Sequence, residues 1–151
     1  VKDIHDTFKQ YNEQKKKVKL ICDEYENAKI EPNKYDMALT SPPYFDVEKY
    51  EGGKQSHEAN NYEEWKELFY APLILKTYES LKPEGVFALQ IGSQKYPLLK
   101  DGKKIAKRCG FAVEEIRKTL MKNSCKTTAD EDSEVLLILK KAHLESVAPT
   151  K

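Results

Sequence analysis

The chain has 151 residues, with 26 Lys+Arg against 25 Asp+Glu and a formal net charge of +1; it is 39% hydrophobic and 34% charged. That length suits one compact unit with its own core rather than two. No apolar run nears the roughly 20 residues that span a bilayer, and the start lacks the pattern of a signal peptide. A near-zero charge balance gives no strong long-range field toward nucleic acid, although a local basic face is compatible with it.

The three cysteines (Cys22, Cys109, Cys125) are odd in number and widely separated, with no Cys-x-x-Cys or Cys/His spacing. This argues against a disulfide framework or a zinc site and fits a reducing, cytoplasmic compartment.

In chain order, residues 1–17 are polar, with Ile4, Phe8 and Tyr11 on one narrow stripe, and predict a helix. Residues 18–22 predict a short strand, closed by Asp23 and Glu24. Pro32-Asn33 marks a turn, and residues 35–40 have a buried-strand pattern that stops at Ser41-Pro42-Pro43-Tyr44, because two consecutive prolines cannot continue a ladder. A long polar loop then runs through residues 46–61.

Residues 62–81 place Trp65, Leu68, Phe69, Leu73 and Leu75 at helical spacing, with Pro72 expected to kink or offset the helix. Lys82-Pro83-Glu84-Gly85 predicts a turn, residues 86–91 a strand ending at Gly92-Ser93, and residues 99–108 a short helix stopped by Gly110. Residues 111–120 and 134–139 predict two final strands. The domain is expected over 1–141, with a frayed tail over 142–151.

Strands alternating with helices imply an α/β fold: a doubly wound, mostly parallel sheet with helices on both faces. The last two strands, joined without a helix, imply an antiparallel hairpin at the C-terminal edge. In such sheets ligands bind outside the carboxyl ends of the strands. Three of those ends carry polar or turn residues: Cys22-Asp23-Glu24, Thr40-Ser41-Pro42-Pro43-Tyr44 and Gly92-Ser93. The second combines two rigid rings, fixed carbonyl directions and an aromatic face, which suits a flat ligand with polar edges.

The stretch from Asp36 through Ser41-Pro42-Pro43-Tyr44-Phe45 resembles the signature of the S-adenosylmethionine-dependent amino-methyltransferases of DNA. Glu48-Lys49-Tyr50, Gln55-Ser56 and Tyr62-Glu63-Glu64-Trp65 are similar to a bacterial and viral subgroup. Leu81-Lys82-Pro83-Glu84-Gly85 resembles a Leu-Lys-Pro-Gly-Gly turn, with Glu84 in place of a glycine. The likeness implies a Rossmann-like methyltransferase fold, S-adenosyl-L-methionine as cofactor and DNA as partner. It implies methylation of an exocyclic amine, with cytosine N4 favoured over adenine N6 by the Ser form of the signature.

On that likeness, Ser41 and Pro42 would accept the two amine N–H groups and direct the lone pair toward the methyl group. Pro43 would hold the backbone, and Tyr44 would stack on a base taken out of the duplex, with Phe45 as a second apolar wall. Asp23 or Glu24, with Thr40, would contact the cofactor. Ordinary structural roles compete at other positions: Asp36 as a strand-start residue, Trp65 as core, Lys15-Lys16-Lys17 and His57 as solvated surface.

The likeness also requires a glycine-rich turn after a first strand and an acidic residue ending the second. Gly52-Gly53 and Gly92 stand elsewhere in the order, and the first residue is Val1 rather than Met. These elements are therefore expected upstream, making the chain an incomplete, C-terminal part that meets an N-terminal methyltransferase half or a second subunit. The alternative is a non-catalytic methyltransferase-like subunit that keeps the fold for interaction.

Overall fold

In the computed structural model, which describes residues 19–45, 59–92, 95–118 and 135–142, four strands form one sheet. They are β1 (Tyr35–Thr40), β2 (Leu81–Ile91), β3 (Phe111–Lys118) and β4 (Val135–Lys141), in the spatial order β1-β2-β4-β3. β1 pairs parallel with β2, whereas β4 runs antiparallel to both β2 and β3. Three strands therefore point the same way and β4 alone is reversed, inserted between β2 and the strand that precedes it. The expected α/β sheet, with three of its four described strands pointing the same way and an antiparallel pair at the C-terminal edge, is present.

The segment before β1 departs from the expectation. Residues 19–22 are not a strand but exposed, irregular chain. Their short apolar run lacks the partner ladder that an extended segment needs to satisfy its backbone groups. The predicted helix at 1–17, most of the 46–61 loop and nearly all of the tail lie outside the described residues.

The helical stretch from Tyr62 divides into α1 (Tyr62–Trp65), a π-helical turn (Lys66–Tyr70) and α2 (Ala71–Ser80). Asn61 caps α1 by accepting from the Glu64 N–H at 3.0 Å. Pro72 sits in the first turn of α2, where its missing N–H is tolerated. The wide turn immediately before it realises the offset expected from that proline. The Lys82-to-Gly85 turn is present as an excursion inside β2: the register jumps from Tyr35↔Leu81 to Met37↔Val86, with Glu84 at φ 66°.

α3 (Leu98–Cys109) ends on Gly110 at φ 103°, a left-handed cap that a side chain would strain. Helix α3 lies close against the preceding helical stretch because Gly102 has no side chain; a Cβ there would stand 2.3 Å from the Tyr70 hydroxyl. That hydroxyl donates to the Leu98 carbonyl at 3.2 Å.

One core holds the helices to the sheet. Trp65, Phe69, Tyr70, Leu73, Ile74, Leu98 and Ala106 pack on Phe87, Leu89, Ile91, Leu137 and Leu139. These strand residues alternate on one face, so all three described helices cover that face. On the other, Met37 and Leu39 stand 59% and 67% exposed at the outer strand β1, in register with Val86 and Ala88. The second helix layer of a doubly wound sheet is not among the described residues.

Lys141 closes the opposite end of the sheet. Its side chain is buried, and Nζ donates to Asn33 Oδ1 at 2.9 Å, the Tyr78 carbonyl at 2.8 Å and the Leu81 carbonyl at 2.7 Å. It also lies over the Tyr78 ring at 4.5 Å. One cation thus joins β4, α2 and the turn entering β1.

Candidate active site

The chain leaves β1 at Thr40 into Ser41-Pro42-Pro43-Tyr44-Phe45. Pro42 is buried, whereas Ser41 is exposed and its hydroxyl has no hydrogen-bond partner among the described residues. The next strand ends alongside, and the Gly92 N–H donates to the Tyr44 hydroxyl at 2.6 Å. The ends of β1 and β2 are thereby locked together with the Tyr44 ring half-buried between them. Thr40, Ser41, Pro42, Pro43, Tyr44 and Phe45 are all brought to one rim.

A cavity of about 440 Å³ opens beside this rim. Thr40, Ser41, Pro42 and Pro43 line it together with Tyr25, Phe69, Leu73 and Phe87, so its hydroxyls sit at an otherwise mainly apolar wall. Tyr44 and Phe45 face a second environment. Phe45 packs edge-on against Tyr96, with centroids 5.2 Å apart, and Tyr96 stacks on Tyr62 at 4.6 Å and 12°. Tyr62 stacks in turn on Trp65 at 5.8 Å.

This aromatic group is anchored by charge. The Tyr62 hydroxyl donates to Asp101 Oδ2 at 2.9 Å, Lys66 pairs with the same carboxylate at 3.2 Å, and the Lys66 ammonium lies 5.0 Å above the Tyr62 ring. Burial, with the Asp101 carboxylate beside it, pushes the Tyr62 phenol well above its ordinary range. Tyr62 is therefore a neutral donor throughout the physiological range.

Tyr62, Tyr96, Asp101 and Gly92 were not signalled as site residues by sequence. Only the Gly92 position, at a strand end, pointed to the rim; the stack joins residues remote in the chain and needed the fold.

Asp23 and Glu24 stand apart from the rim, exposed on a turn. Asp23 Oδ1 accepts from the Glu24 N–H at 2.9 Å, and Glu24 Oε2 accepts from Asn27 Nδ2 at 2.7 Å. Their neighbour Tyr25 lines the cavity, but neither carboxylate does. Asp36 pairs with Lys82 at 2.7 Å at the far end of β1, the strand-start role. Trp65 is fully buried in the core. His57 and Lys15-Lys16-Lys17 lie outside the described residues, which contain no group of His, Cys, Asp and Glu able to hold a metal.

No family model matches the chain, and no curated protein matches it. Solved structures do. A Thermus thermophilus structure named "Putative DNA Modification Methylase" aligns with TM-score 0.57 at 18% identity, over 85% of this chain and 56% of that one. A form of it complexed with S-adenosyl-L-methionine aligns with TM-score 0.54 at 15% identity, over 85% and 56%. A "putative S-adenosylmethionine dependent methyltransferase" from Listeria monocytogenes aligns with TM-score 0.51 at 13% identity, over 87% and 74%. The chain spans little more than half the length of the Thermus protein. At these identities the likeness concerns architecture, and the architecture is the Rossmann-like fold of the S-adenosylmethionine-dependent methyltransferases.

Proposed function

We propose that this chain is the target-amine part of a DNA methyltransferase that uses S-adenosyl-L-methionine. Its substrate is the exocyclic amine of a base taken out of the duplex, cytosine N4 in preference to adenine N6. The observation that carries the reading is the rim itself: a Ser41 hydroxyl with no partner among the described residues next to Pro42, with the Tyr44 ring held in place by Gly92. The name of the Thermus structure supports DNA as the substrate class.

The amine of cytosine or adenine is conjugated with its ring, so its lone pair is a poor nucleophile. Ser41 Oγ and the Pro42 carbonyl accept its two N–H groups and localise that pair. Tyr44 offers its face to the base, and Phe45 with Tyr62 and Tyr96 walls the site from water. Asp36, at the opposite end of β1, is remote from Ser41, and positioning rather than a strong base carries the rate. When bound, the cofactor supplies a methyl group activated by an adjacent sulfonium.

The residues present fit one side of that cofactor. A cavity of about 440 Å³ is within the roughly 300–1,000 Å³ of small-molecule sites, and its flat apolar wall and hydroxyls suit an adenine ring. No carboxylate lines it for the ribose hydroxyls. Asp23 and Glu24, next to Tyr25 in the chain, are the proposed partners of the adenine amine, with Thr40 at the cavity wall. The rest of the cradle is assigned to an N-terminal methyltransferase half or a second subunit docked at β1. The exposed Met37 and Leu39 and the 56% coverage of the Thermus structure support this.

A cytoplasmic setting is proposed from the cysteine usage; among the described residues no helix is long and apolar enough to cross a membrane. The competing reading is a non-catalytic methyltransferase-like subunit, favoured by the same β1 edge, which has no outer partner strand among the described residues. Methyl transfer from labelled cofactor to DNA, measured with the chain assembled with the proposed complementary half or subunit, separates them. Nucleoside mass spectrometry of the product then identifies the base. Equal rates for wild type, Ser41→Ala and Tyr44→Ala would overturn the catalytic assignment.

A further inference from the structure

The net charge of +1 conceals a segregated cationic surface. Lys100, Lys103, Lys104 and Lys107 recur at the spacing of one helix face on α3, while Leu98, Gly102 and Ala106 face the core. The four lysines, with Val113 and Ile116 of β3, line a groove of about 400 Å³. Like charges at this spacing repel one another. Among the described residues none of the four has a carboxylate within ion-pair distance.

The nearby carboxylates are engaged elsewhere. Asp101, between the first two lysines in sequence, is turned toward Tyr62 and Lys66. Glu115 pairs with Arg117 at 2.8 Å. Ile116 is 42% exposed at the groove, an apolar contact beside the cations.

We propose that this groove between α3 and β3 holds the phosphodiester backbone of one strand of a nucleic acid, with Lys100, Lys103, Lys104 and Lys107 as its phosphate contacts. The inference rests on the reading of DNA as substrate and deepens it. Seven helical steps at ~1.5 Å carry the stripe over about 10 Å, the axial rise of about three nucleotide steps of one duplex strand at ~3.4 Å each. Val113 and Ile116 offer an apolar surface to the sugars. The stripe begins near the target rim, because Tyr96, just upstream of α3, is the ring that packs on Phe45 and Tyr62.

The test is fluorescence anisotropy of a labelled duplex with the full chain across a potassium chloride series. Each phosphate contact steepens the log–log salt dependence by about 0.9. Replacing all four lysines by Gln should flatten the slope by about 3.6, Lys104→Gln alone by about 0.9, and a four-Arg variant should keep it. Melting followed by circular dichroism checks that the variants fold. A wild-type slope in the folded four-Gln variant, no duplex binding by wild type at low salt, or equally tight binding of polyglutamate would each overturn the proposal. A flattened slope in an assembled enzyme that transfers no methyl group would retire the proposed reaction and keep the groove. Methyl transfer with an unchanged slope would do the reverse.

Discussion

The backbone N–H of Gly92 and the phenolic oxygen of Tyr44 meet at 2.6 Å and join the chain segments leaving β1 and β2. The bond fixes the ring of Tyr44 before any ligand arrives. A base that stacks on Tyr44 therefore meets a preformed surface, and little ordering is left for the binding step.

Tyr44→Phe keeps the ring and removes the acceptor, leaving the Gly92 N–H without that partner. Thermal unfolding should show a loss of about 1 kcal/mol. Methyl transfer by the assembled enzyme should fall less for Tyr44→Phe than for Tyr44→Ala, because stacking survives in the first. Equal rates for the two variants would show that the ring itself contributes nothing.

Ser41→Ala removes an exposed hydroxyl with no partner among the described residues, so stability should change by less than about 0.5 kcal/mol. The methyl-transfer rate should fall by about tenfold or more, the effect of losing one ~1.4 kcal/mol interaction from the transition state. Parallel melting and rate measurements distinguish this from a folding defect.

Met37 and Leu39 face solvent from the outer strand of the sheet. Leu39→Lys should leave the melting temperature of the chain nearly unchanged while reducing self-association in sedimentation runs, since an apolar strand at a sheet edge is an aggregation hazard. The same change should weaken capture of the proposed complementary part. Unaltered capture would place that partner on another surface.

Lys141→Met should be the most damaging single change among these. It strands an amide oxygen and two carbonyls that one buried ammonium now satisfies, a loss of about 2–4 kcal/mol in chemical denaturation. Burial pulls the Lys141 pKa below its ordinary value near 10.5, against an opposing push from Glu79. A lowered folded-state pKa means that the charged form is the less favoured one in the fold. The titration of Lys141 should therefore add stability as the pH climbs from the folded pKa toward 10.5, and none below it. Stability–pH curves of wild type minus Lys141→Met should rise across that alkaline window.

Cys109 is half-buried, and burial raises its thiol pKa more than neighbouring Arg108 lowers it, while Glu79 adds to the rise. Less thiolate is then present at neutral pH. Iodoacetamide followed by peptide mapping should label exposed Cys22 before Cys109, with the gap closing as pH rises.

Much of this molecule was legible in its amino-acid order. β1 begins and ends where its apolar run and the two prolines place it, Gly110 stops α3, and Pro72 offsets the helix that contains it. Each is set by steric rules acting over a few residues. The gathering of Ser41 to Phe45 at one strand end was readable for the same reason: their grouping is local.

Other features belonged to the tertiary structure. Residues 19–22 have a strand-like apolar run but no ladder, because a strand is defined by a partner that the segment itself cannot supply. The Tyr62–Tyr96 stack, the Tyr44–Gly92 bond and the Lys141 knot join residues far apart in the chain, and only packing decides which distant groups meet. The near-zero net charge bounded the sum of the charges and not their placement. Folding turns Asp101 toward Lys66 and Tyr62 and leaves four lysines lining one groove, because each charge is screened or exposed by the neighbours the fold provides.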